Sequence, residues 1–127
     1  MTDLRAVAGI AVAGALGAVA RYVADTLLTR RLGADFPWAI LAVNVSGAFA
    51  AGVLFVVLTE RAQGPGWLRL TLTVGLLGGF TTFSTLSLQT TRLLQEGQVG
   101  AAAGNGLGSL ALGVLAVYAG MAAARAI

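Results

Sequence analysis

The sequence predicts an all-α membrane protein of four transmembrane helices, and three observations carry that reading. Of its 127 residues 57% are hydrophobic and only 10% charged, with a mean hydropathy of +0.87, far from soluble averages. Nearly all of the few charged residues flank long apolar runs. Four such runs reach the ~20 residues needed to cross a hydrocarbon core of roughly 30 Å.

Taken in order, the runs cover residues 4–28, 39–58, 68–93 and 99–124 and form a single four-helix domain over residues 1–127. The first run resembles a signal peptide at its start, yet it continues past Arg21 and three more apolar runs follow, so it reads as a retained helix. The loops at residues 29–37, 59–66 and 94–98 hold both prolines and six of the thirteen charged residues. They are short, so successive helices run antiparallel. Trp38 and Trp67 stand at the starts of the second and third runs, where an amphipathic ring favours the headgroup level.

Composition removes several functions. With no Cys and no His there are no disulfides, no soft metal ligands and no imidazole base. Ser84 and Thr82 have no visible base beside them, so the chain is not read as an enzyme. The net charge of +3 does not imply nucleic acid, because the arginines are scattered and no basic patch carries interleaved aromatics.

Orientation is undecided by charge. Arg5, Arg61, Arg69 and Arg125 fall on one side of the four-helix topology, and Arg30, Arg31 and Arg92 on the other, with Arg21 near that same end. Because the positive-inside bias is almost nil, a dual-topology homodimer is expected, each chain pairing with its inverted copy as larger transporters pair inverted repeats. Glycines at helical spacing, such as Gly14 and Gly17, Gly47 and Gly52, and Gly100, Gly104 and Gly108, predict tight packing.

Intramembrane polar residues need a partner or a wet path. Arg21 either snorkels to the interface or pairs with Asp25 one turn on. Asn44 either donates to an anion or bridges helices. Asn105, Ser109 and Gly113 recur every four residues and share a face that is a polar stripe or a packing seam.

The third run is the strongest signal. Gly78 and Gly79, followed by Thr81, Thr82, Ser84 and Thr85, combine poor helix formers with hydroxyls that compete for backbone hydrogen bonds. A helix broken in mid-membrane is the expectation, and such a break persists only where it is buried in protein or lines a cavity. Phe80 and Phe83, a turn apart, are expected on one side of it. Their rings carry positive edges that favour an anion.

These residues resemble those of the small bacterial fluoride channels of the CrcB/Fluc type, over essentially the whole chain. The resemblance rests on Gly17 to Arg21-Tyr22, on Asn44-Val45-Ser46-Gly47, and above all on Gly78-Gly79-Phe80-Thr81-Thr82-Phe83-Ser84-Thr85. It implies an antiparallel dimer in the bacterial inner membrane that passes cytoplasmic fluoride outward through pores at the subunit interface. It further implies a structural sodium ion on main-chain carbonyls of Gly78 and Thr81. The implied anion path comprises Asn44, Phe83 and Ser109; Thr82, Ser84 and Phe80 join it as candidates by position in the same motif, and Arg21 is read as a structural or vestibule residue. Leu86 stands where the family has a second phenylalanine, and Asn105 where a tyrosine is common. The rival reading, a small dual-topology multidrug exporter, lacks its embedded carboxylate: Glu60 and Glu96 sit in loops and Asp25 near a helix end.

Overall fold

The structure, a computed structural model, describes residues 2–127 and is all-helical. Four helical spans are long and apolar enough to cross a membrane: Leu4–Leu32, Trp38–Arg61, Gly66–Gln95 and Val99–Ala126. We label the first α1 and the second α2. The third consists of α3 (residues 66–80) and α4 (Phe83–Gln95), and the last is α5 (Val99–Ala126).

Local chemistry sets the ends. The Asp3 carboxylate accepts from the Arg5 amide and caps α1, which runs one turn past the expected end before Gly33 turns it out at φ 86°. Proline precedes both α2 and α3, where its missing N–H is no loss. Gly97, at φ 78°, makes the tight turn from α4 to α5. The end of α2 and the middle of α3 widen into π turns, seen in the i→i+5 bond from the Ala62 amide to the Val57 carbonyl at 2.8 Å.

The helices pack in two close pairs, α1 against α3 and α2 against α5, with α1 and α2 adjoining. Small residues make both pairs possible. A Cβ on Gly79 would strike the Gly14 carbonyl of α1, and one on Gly120 would strike the Phe49 carbonyl of α2. In lipid, where no hydrophobic effect drives helices together, such backbone proximity supplies the dispersion contact. The buried set is accordingly slight: Ala6, Ala13, Ala39, Ile40, Val43 and Val56 are typical, while many leucines face outward. At one end, Arg125 grips Glu60 with both Nε and Nη2 at 3.1 and 2.6 Å and ties the ends of α5 and α2 together.

The third span leaves helical geometry at Thr81 (ψ 157°) and Thr82 (φ −150°, ψ 120°). The sequence reasoning attributed the interruption to the glycines and the hydroxyl residues together, and the structure divides their parts. Gly78 stays helical at φ −63°, ψ −36°. Gly79 also remains in the helix, and its missing side chain is what lets α3 approach α1. The extended residues are the two threonines, where the Thr82 hydroxyl and a side chain from α2 take up two of the freed amides.

Candidate functional site

The interruption is held from across the bundle by Asn44 of α2. Its carboxamide meets the peptide groups of Thr82 twice: Nδ2 donates to the Thr82 carbonyl at 3.0 Å, and Oδ1 accepts from the Thr82 amide at 2.8 Å. This two-point clasp mimics a backbone pair and fixes Thr82 in an extended conformation. Gly47, one turn along α2, makes room for it, since a Cβ there would strike the Thr81 methyl.

Thr82 then starts α4. Its Oγ1 accepts from the Thr85 amide at 3.2 Å, the N-cap bond that replaces a lost helical partner. The same Oγ1 lies 3.1 Å from Thr85 Oγ1 and 3.3 Å from Ser84 Oγ, a compact hydroxyl cluster around a residue only 8% exposed.

The carbonyls of Gly78, Gly79, Phe80 and Thr81 lose the amides four residues on as a result, and for two of them the amide goes to a named partner. In a continuous helix the Thr82 amide would bond Gly78 and the Thr85 amide would bond Thr81. The first is taken by Asn44 and the second by Thr82 Oγ1. Among the described residues no backbone or side-chain donor replaces them. These are the two carbonyls the family resemblance singles out for sodium, and neutral, unpaired oxygens suit a hard cation. No group of three or more His, Cys, Asp or Glu side chains able to hold a metal ion occurs among the described residues.

Around this junction lies an open lateral groove of about 820 Å³, walled by α2, α3, α4 and α5. It brings together Asn44, Gly78, Thr81, Thr82, Phe83 and Ser109. Phe83 is 82% exposed in this single chain. Leu86 also lines the groove, one turn beyond Thr82 on α4.

Other expected residues lie elsewhere. Phe80 and Phe83 do not share a side, because the extended pair between them breaks the helical register. Phe80 turns inward toward Gly47, where an added Cβ would sit 3.4 Å from its ring. Ser84 is exposed and touches the site only through Thr82 Oγ1. Arg21 makes no ion pair with Asp25: the salt bridge found among the described residues is Glu60–Arg125, and Asp25 accepts from Thr29 Oγ1 at 3.4 Å. Arg21 lines a separate crevice with Asp25, Tyr22 and Thr85.

Sequence reasoning missed the cap by Thr82 and the contact between Asn105 and Thr90. The first was signalled by a Thr directly preceding an apolar helical run. Asn105 is fully buried, and its Nδ2 donates to Thr90 Oγ1 of α4 at 3.0 Å, which resolves the polar stripe on α5 partly into a seam.

Fold and site together define a multi-pass helical membrane protein whose polar backbone is exposed toward one lateral groove. The sequence model described as "CrcB-like protein, Camphor Resistance (CrcB)" matches residues 8–121, and the chain belongs to that family. It is 46% identical over 95% of its length to a protein of Magnetococcus marinus named fluoride-specific ion channel FluC, of which 98% is covered. Proteins of the same name from Geobacter sulfurreducens and Thermus thermophilus are each 47% identical, covering 91% and 87% of this chain and 94% and 88% of their own. The name these relatives share is that of a channel, not of an enzyme.

Proposed function

We propose that this protein is a fluoride-selective channel of the bacterial inner membrane, through which cytoplasmic fluoride leaves by passive permeation. The observation that carries the reading is the clasped interruption at Thr81–Thr82, with hydroxyls, an amide and an aromatic ring lining one groove, in a chain 46% identical to a protein named fluoride-specific ion channel. Fluoride is small and strongly hydrated, so passage demands donors that replace its water without holding it tightly. Asn44 retains a second Nδ2 hydrogen beyond the one given to Thr82, and Ser109 supplies a hydroxyl. Phe83, which lines the same groove, carries a positive ring edge that favours an anion. Phe80, facing inward, supports the junction in this reading. Thr82 and Ser84 hold the geometry of the turn.

The groove is one-sided in a single chain, which supports an antiparallel homodimer whose second copy closes it. Balanced arginines on the two faces favour insertion in both orientations. The interruption then sits at membrane depth, where irregular backbone requires cover by protein. The unpaired carbonyls of Gly78 and Thr81 would hold a sodium ion shared between the copies, which supplies fixed positive charge beside the turn. The carbonyl oxygens themselves fix the size of that site. The membrane potential, inside negative, drives the anion outward.

The test is fluoride efflux from proteoliposomes, read with a fluoride electrode and compared with chloride. Efflux well above that of empty liposomes, with chloride much slower, is expected; a rate equal to that of empty liposomes would rule the channel out.

A further inference from the structure

Two polar atoms near the groove, one turn apart on α5, have no partner: Asn105 Oδ1 and Ser109 Oγ. Their residues are 0% and 7% exposed, so neither is relieved by open solvent. Among the described residues Ser109 is the hydroxyl that is buried with no partner. Thr71, Thr73, Ser87, Thr90 and Thr91 each donate to the carbonyl four residues back. Ser109 does not, and it lines the groove.

The orientation of Asn105 follows from its neighbour. The Thr90 hydroxyl gives its only proton to the Leu86 carbonyl at 2.8 Å, so Thr90 Oγ1 can only accept from Asn105. The amide must therefore present Nδ2 to Thr90, at 3.0 Å, and Oδ1 to the opposite side. That leaves an acceptor without a donor, beside a donor without an acceptor. Residues at i and i+4 are neighbours on a helix face, and serine moves between staggered rotamers.

We infer that Asn105 Oδ1 and an anion in the groove compete for the single hydroxyl hydrogen of Ser109, which makes Asn105 a positioning residue that weakens anion binding at Ser109. Turned inward, the hydroxyl satisfies Oδ1; turned outward, it donates to the anion. Each anion that binds there must displace the inward bond, and each that leaves is replaced by it. Rapid exit follows, as conduction requires. Thr90 takes part by locking the amide in the accepting orientation. This inference rests on the channel reading above.

The experiment measures fluoride efflux as a function of fluoride concentration for the wild type, Asn105→Leu, Thr90→Val, and each of the two combined with Ser109→Ala. Asn105→Leu removes the competing acceptor at similar volume. Thr90→Val frees the amide to turn N–H toward Ser109, and keeps the inference testable where the first variant fails to fold. For either single variant the half-saturating fluoride concentration falls about threefold, the scale of one intramembrane hydrogen bond, and the maximal flux falls with it. In the Ser109→Ala background both shifts vanish. A purely structural defect lowers maximal flux and leaves half-saturation unchanged. An unchanged half-saturation, or a shift that persists without the Ser109 hydroxyl, overturns the inference alone. Wild-type efflux equal to that of empty liposomes overturns the channel reading and the inference with it.

Discussion

Asn44 shows how one side chain decides the course of the backbone. Its amide supplies both a donor and an acceptor to the same residue, at 3.0 and 2.8 Å, a pairing that aspartate, its near-isostere, cannot make because it lacks the donor. In Asn44→Asp, the carboxylate still accepts from the Thr82 amide but faces the Thr82 carbonyl with a second acceptor. A buried hydrogen bond lost in this way costs about 1–3 kcal/mol, and a negative charge beside an anion path adds repulsion. We expect fluoride efflux to fall at least about tenfold while the protein still elutes as the same species. Normal efflux would leave Asn44 a helix bridge only. The sequence made Asn44 conspicuous as an amide within an apolar run, but it left bridging and anion donation equally open. Only the distances show that bridging occurs, because the partner lies 38 residues away in the chain.

At the level of helices, the small residues divide into two kinds that sequence spacing does not separate. Gly120 is required, because a Cβ would strike the Phe49 carbonyl of α2 and approach the Val53 amide at 3.1 Å. Gly100 is not, since nothing lies within 4 Å of where its Cβ would be. Gly120→Ala should therefore destabilise the protein by about 1–3 kcal/mol, the usual effect of overpacking a tight contact. Gly100→Ala should be neutral or slightly stabilising, as alanine favours helix over glycine. Thermal unfolding in detergent, followed by fluorescence-detected size exclusion, compares the two; equal midpoints would contradict the packing of α5 on α2. The same reasoning explains the third span. Glycines and hydroxyls together marked the interruption in the sequence; in the structure Gly79 serves close approach and the threonines take the extended backbone. Propensity points to the right octet of residues but not to the residue that leaves the helix, since Gly79 is held helical by its contact with α1.

The whole molecule is a bundle with one unfinished face, and two expectations belong to that scale. In the dual-topology reading, a lone cysteine in a loop is exposed on both sides of the membrane. The chain has no native Cys, so Ala34→Cys in the loop after α1 gives a clean site. An impermeant thiol reagent added outside intact cells should label about half of it, and the rest only after the cells are opened. Labelling confined to one side would fix a single orientation and remove the antiparallel pairing. The second expectation concerns the carbonyls of Gly78 and Thr81. Purification with a large organic cation in place of sodium should weaken the dimer or its fluoride efflux, since unpaired carbonyls facing one another repel. Indifference to the exchange would take the ion out of the site.

Composition and hydropathy alone determined the class, four apolar helices joined by short charged loops, because solvent transfer depends on which residues occur in a run and hardly on their partners. Local sequence also marked the third span as the unusual one and brought the family resemblance within reach. The tertiary structure decided which residues meet. It gave the Thr82 amide to Asn44 and left the Gly78 and Thr81 carbonyls unpaired. It turned Phe80 inward and Phe83 into the groove, and it set Asn105 against Thr90. Each of these depends on contacts between segments distant in the chain, where a hydrogen bond is won or lost over less than an ångström. Helical periodicity fixes a residue's face on its own helix, but not which neighbouring helix arrives to complete it.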